Sequence, residues 1–157
     1  MDTLVAEDLT TTPLISVGET CERRVRFTRE DIARFAQLTG DTNPLHHDVQ
    51  AAQRARHGEI IASGQHTTAL MIGLAASHFS RNDDGQQREL LCLNFNFAFK
   101  APVFAEQELV LSWRVAGIEW NAKLGGWLAH VDGRATVCHA PPSVVGRGTL
   151  LVKDGQG

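Results

Sequence analysis

Residues 63–79 read Ser-Gly-Gln-His-Thr-Thr-Ala-Leu-Met-Ile-Gly-Leu-Ala-Ala-Ser-His-Phe. Ser63 and Gly64 open a helix, and the run carries no Asp, Glu, Lys or Arg to mark a solvent face. Thr67, Leu70, Met71, Leu74, Ala75 and then His78 or Phe79 recur at helical spacing. Ala69, Gly73 and Ala76 keep the other faces small. A helix that is apolar or small nearly all round must be covered on several sides. It is too short and too interrupted to span a bilayer, so the cover has to come from the rest of the chain.

That cover reads as strands. From Leu91 to Phe99 the odd positions Leu91, Leu93, Phe95, Phe97 and Phe99 alternate with wetter even positions, Asn94 and Asn96 among them. Residues 107–117 repeat the period with Leu109, Leu111, Trp113 and Val115. Residues 127–139 do so with Trp127, Ala129, Val131, Ala135 and Val137. The alternation runs in phase through Asp132–Gly133, so this is one long strand and not a hairpin. Pro141–Pro142 turns the chain, and residues 144–152 close the sheet. Upstream, residues 20–27 form a first strand. Thr28, with Glu30 and Asp31 behind it, caps a helix whose apolar face is Ile32, Phe35, Ala36 and Leu38. Asp48 caps a short helix to Ala55. One strand, helices, then four strands joined by short turns is an α+β order with an antiparallel sheet. A single domain follows, with a curved antiparallel sheet wrapped around a central helix, the hot-dog arrangement. Residues 1–16 are expected to be an N-terminal arm, 17–153 the domain and 154–157 a C-terminal tail.

With 157 residues, 43% hydrophobic and 21% charged, the chain suits one domain with one core. A net charge of −3 does not favour nucleic acid or an anionic membrane. Cys21, Cys92 and Cys138 are odd in number and lack a Cys-x-x-Cys spacing, which argues against a disulfide scaffold and a zinc site. With no signal-peptide pattern at the first residues, a reducing cytoplasm is the expected setting.

Gly40-Asp41-Thr42-Asn43-Pro44-Leu45-His46 follows the first helix. It reads first as a turn: Gly40 ends the helix, Asp41 and Asn43 bond nearby backbone, and Pro44 blocks continuation. The same loop holds a carboxylate and an imidazole at its two ends, and such a pair sharing a water can move protons to and from it. His46, His47, Asp48, His57 and His66 could suggest a metal, but no known ligand spacing appears, and none is expected. Cys138–His139 adjoin in a strand and so point to opposite faces, which makes Cys138 a buried structural cysteine rather than a nucleophile.

The stretch from Phe27 to Gly64 resembles the MaoC-like dehydratases, the (R)-specific enoyl-CoA hydratase family. The resemblance is carried by Thr28–Asp31–Ile32, Phe35–Ala36, Gly40 to His46, Asp48 and Ile61-Ala62-Ser63-Gly64, and later by Phe99-Lys100-Ala101-Pro102-Val103. It implies a hot-dog fold, a homodimer or higher homo-oligomer, and addition of water to, or its removal from, an acyl thioester. It also implies that Asp41 and His46 are the catalytic pair and that the Gly64 amide is the oxyanion donor. In these roles Asp41 is general base and His46 positions the water and handles a proton. The helix start at Gly64 supplies unpaired N–H groups and a positive dipole end. Asn43, Ser63, Gln65, His66 and Thr68 are the expected supporting or substrate-contacting residues. The family usually has His where Ser63 stands, and some members carry a serine near Ile72; here Thr67 or Thr68 could supply a hydroxyl instead. Coenzyme A enters only as part of the substrate, and no other cofactor is expected. Arg56, Arg81, Arg88 and Lys100 are the basic candidates for its phosphates. Two other readings stand beside this one. A hot-dog thioesterase is disfavoured because residues 63–79 hold no carboxylate. A non-catalytic acyl-thioester-binding subunit needs neither Asp41 nor His46.

Overall fold

The structure, a computed structural model, describes residues 14–155. Residues 1–13 and 156–157 lie outside the described residues, and with them most of the expected arm and part of the expected tail. In chain order the elements are β1 (Thr20–Arg26), α1 (Arg29–Thr39), a 3-10 turn (Pro44–His46), α2 (Val49–Arg54), α3 (Gly64–Phe79), β2 (Arg88–Phe99), β3 (Glu108–Asn121), β4 (Gly126–Val137) and β5 (Pro142–Asp154). The strands form one antiparallel sheet in the order β1-β3-β4-β5-β2, and α3 lies against all five. This is the hot-dog arrangement.

The caps act as their sequences dictate. Thr28 accepts from the Asp31 amide, and the Asp31 side chain accepts from the Thr28 amide, a reciprocal capping box. Gly40 ends α1 at φ 71°, a left-handed conformation that glycine takes without steric cost. Ser63 and Asp48 cap α3 and α2 through their side chains.

Cross-strand register sorts the helix-facing side of the sheet into layers. One is Leu111, Ala135, Val144 and Phe99; the next is Trp113, Gly133, Gly146 and Phe97; the third is Val115, Val131, Gly148 and Phe95. In the second and third layers, aromatic rings lie flat over glycines. A Cβ on Gly133 would sit 2.5 Å from the Trp113 ring, one on Gly146 2.6 Å from Phe97, and one on Gly148 2.5 Å from Phe95. Trp113 is 1% exposed, and its indole N–H donates to the Met71 carbonyl in mid-α3 at 2.7 Å. The bond fixes the height of the helix above the sheet.

Four expectations are corrected. The alternation from Leu91 to Phe99 does not hold one face throughout. A bulge between Cys92 and Asn94 takes up Leu93 as an extra residue, so Leu90 and Cys92 share the inner face with Phe95 while Leu91 turns outward. Leu91 and Leu93 are 49% and 45% exposed. β4 ends at Val137, so Cys138 and His139 are not in a strand; His139 has φ 60° in a turn, and Cys138 is exposed. Ile15, placed in the arm by its sequence, is 1% exposed in the core, where the Arg88 guanidinium holds the Leu14 carbonyl at 2.9 Å. At the other end β5 continues to Asp154, into the expected tail.

Candidate active site

The loop after α1 is built by short-range hydrogen bonds. The Asp41 amide returns to the Ala36 carbonyl at 2.8 Å, the Asp41 Oδ1 accepts from the Asn43 amide at 2.9 Å, and the Asn43 Oδ1 accepts from the Leu45 amide. Asn43 is thus the cap of the 3-10 turn, with Pro44 in the position where its missing N–H costs nothing. These bonds occupy Oδ1 of Asp41 and leave Oδ2 pointing at the turn's far end.

His46 occupies that end and is 6% exposed. Its Nδ1 lies 2.7 Å from the Ile61 carbonyl oxygen. A carbonyl only accepts, so Nδ1 carries the proton, and in the neutral ring Nε2 presents a lone pair. Nε2 faces Asp41 Oδ2 at 3.5 Å. Two acceptors at that distance cannot bond each other, but one water can donate a hydrogen to each. Ile61 is itself held: its amide donates to the Leu45 carbonyl, and the neighbouring Ala62 amide donates to Val103. One backbone stretch therefore orients the imidazole and leads directly into α3.

At the start of α3 the Ser63 Oγ takes the His66 amide at 3.3 Å. The amides of Gly64 and Gln65 have no partner among the described residues. A Cβ at Gly64 would lie 2.4 Å from the Phe99 ring, so only glycine lets this ring rest on the helix start. Asp41, His46, Ser63, Gly64, Gln65 and Thr67 all line a cavity of about 670 Å³. Gln65 also donates to Thr39 Oγ1 at 3.2 Å, tying the helix start to the end of α1.

Three expected supporting residues are not brought to this cavity as side-chain walls. Asn43 shapes the loop. The Thr68 hydroxyl donates to the Gln65 carbonyl. His66 stacks on Phe35 with ring centres 4.2 Å apart and lines a separate cavity with Phe27, Leu38 and Leu70. The reason is helical phase: Thr67 follows Gly64 by three residues and shares its face, whereas His66 is two residues on and faces away. Of the two threonines, Thr67, 1% exposed, is the one that lines the cavity. Among the basic candidates, Arg81 pairs with Glu19, and Arg88 holds Asp84 and two backbone carbonyls; Lys100 lines the cavity.

His66 has its own consequence. Its Nδ1 is buried with no hydrogen-bond partner among the described residues, and burial pushes the ring's pKa below the ordinary histidine value, with the Asp31 carboxylate partly opposing. Below about pH 6.5 the unfolded chain therefore binds a proton that the folded ring refuses, and stability falls as pH drops toward the lowered folded value. His66→Phe should flatten the dependence of the urea midpoint on pH between 7 and 5. Equal slopes in the two proteins would assign the acid sensitivity elsewhere.

Residues 11–125 match the MaoC like domain family. The chain is 24% identical over 105 residues to a mitochondrial 3-hydroxyacyl-acyl-carrier-protein dehydratase of Solanum lycopersicum, a match spanning 67% of this chain and 59% of that protein. It is 29% identical over 136 residues to the (R)-specific enoyl-CoA hydratase of Aeromonas caviae, spanning 78% of this chain and 94% of the hydratase. In three dimensions it resembles the solved (R)-hydratase of Aeromonas caviae with a TM-score of 0.75 at 24% identity, over 87% of this chain and 96% of that one. No helix among the described residues is long and apolar enough to cross a membrane.

Proposed function

We propose that this chain, which belongs to the MaoC-like domain family, is a hydro-lyase that adds water across the double bond of an enoyl thioester or removes it from the 3-hydroxyacyl product. The observation that carries the reading is the pair of acceptors, His46 Nε2 and Asp41 Oδ2, 3.5 Å apart in one cavity with the start of α3, whose Gly64 and Gln65 amides have no partner among the described residues.

A thioester carbonyl bound at the Gly64 amide has its growing negative charge stabilised there; one such donor is commonly worth about 3–4 kcal/mol of barrier. A water held by Asp41 and His46 attacks the β-carbon. Asp41 takes the departing proton, His46 exchanges it across the short gap, and one proton is returned to the α-carbon. Water ends as hydroxyl on the β-carbon and hydrogen on the α-carbon, and the pair is unchanged. The reverse reaction uses the same steps. The chemistry calls on no metal or redox cofactor, and coenzyme A or an acyl carrier enters only as part of the substrate. Lys100 at the cavity is the side chain best situated for the carrier's phosphate.

A homodimer fits the two sheet edges. β1 presents Glu22, Arg24 and Arg26, charges that discourage edge pairing. β2, the other edge, exposes Leu91, Leu93 and Phe99, the last 60% exposed and resting on Gly64. Pairing along β2 would bring a second chain against Leu91 and Leu93 and against Phe99, which lines the cavity.

Crotonyl-CoA tests the reading. The purified protein, sedimenting as two chains, should remove the enoyl absorbance without releasing free thiol. Thiol release would make it a thioesterase, and no change with any chain length would make it a binding subunit.

A further inference from the structure

We propose that the acyl end of this cavity is closed by Phe97 and Trp113, so that the substrate is a short-chain enoyl thioester; this rests on the hydratase reading above. The cavity reaches the sheet at Phe99 and Val144, in the first inner layer, and reaches the helix at Thr67. None of Phe97, Trp113 or Gly146, one layer farther along the same strands, lines it. The space between α3 and the sheet is filled at that layer. Phe97 lies over Gly146 and Trp113 over Gly133, with the two ring centres 6.2 Å apart at 66°. Phe95 backs both, at 5.8 Å from Phe97 and 5.5 Å from Trp113. The Trp113 N–H bond to Met71 pins the block to the helix.

This wall is permitted by the two glycines. Any side chain at Gly133 or Gly146 would lift a ring off the sheet, and the wall could not lie flat beneath α3. The distance it leaves is short. Gly64, where the thioester carbonyl would bind, touches Phe99 in the first layer. Successive same-face positions on a strand are about 7 Å apart, and an extended acyl chain advances about 1.3 Å per carbon, so about four to six carbons fit before the second layer.

Of the two rings, Phe97 is the one to remove, because it is half-buried on the edge strand while Trp113 is pinned to α3. Hydration of trans-2-enoyl-CoA substrates of four, six, eight and ten carbons should be compared in the native protein, Phe97→Ala and the milder Phe97→Leu. In the native protein kcat/KM should fall at least about tenfold between six and ten carbons, since each misfit methylene costs about 1–3 kcal/mol. Phe97→Ala should raise the ten-to-four-carbon ratio of kcat/KM about tenfold or more, and Phe97→Leu should raise it less. Native turnover of the ten-carbon substrate equal to that of crotonyl-CoA overturns the proposal. So does an unchanged ratio in a folded Phe97→Leu or Phe97→Ala protein that still hydrates crotonyl-CoA. Hydration of none of the four by the native protein overturns the hydratase reading itself and this proposal with it.

Discussion

Asp41→Asn should hydrate crotonyl-CoA about a hundredfold to ten-thousandfold more slowly than the native protein, the range expected for loss of a positioned general base. The amide keeps an oxygen for the Asn43 N–H, so the loop bond at 2.9 Å is retained and the fold should be undisturbed. What disappears is the negative charge and one acceptor for the water. His46→Gln should cost a similar factor, because it removes the Nε2 lone pair that faces Asp41 Oδ2. The double substitution should cost little more than either single one, since both residues serve one water. Steady-state rates on proteins with native unfolding midpoints check this. A single variant that retains half the native rate would remove that residue from the mechanism.

The largest effect on stability is expected at Trp113. Trp113→Ala should cost about 3–5 kcal/mol in urea unfolding, as large aromatic truncations in cores do. It empties the space over Gly133 and leaves Met71 without its indole donor. Gly133→Ala should cost about 1–3 kcal/mol for the opposite reason, because its methyl would stand 2.5 Å from a ring that cannot retreat. The two changes should compensate. In the Trp113→Ala background, Gly133→Ala should cost much less than in the native protein. Simple additivity of the two losses would refute the interlock of glycine and ring.

Much of this was legible in the residues. The capping box at Thr28, the glycine stop at Gly40, the Pro44 turn and the Ser63 cap are local devices, each set by groups within four residues of one another. The period-two runs of β3 and β4 were equally plain because one face of each is buried. The misreadings have physical causes. A β-bulge is not a residue type, and nothing in Leu91 to Phe99 marks Leu93 as the extra residue. Ile15 is buried in the core through contacts with residues far along the chain, and the carbonyl of its neighbour Leu14 is held by the distant Arg88 guanidinium. His66 stands beside cavity residues in the chain and helical phase turns it away, while the Thr68 hydroxyl is spent on the Gln65 carbonyl.

The sequence by itself determined the helix that must be covered, the strands that cover it, and a loop carrying Asp41 and His46, because periodicity, caps and turn residues act over a few positions. Only the tertiary structure decided that His46 Nδ1 meets the Ile61 carbonyl, which turns Nε2 toward Asp41. Only it decided that Phe99 rests on Gly64 and that Phe97 and Trp113 lie flat on Gly146 and Gly133. Those contacts join residues 15 to 49 positions apart. Their geometry depends on strand order and register, which come from the packing of the whole sheet against α3.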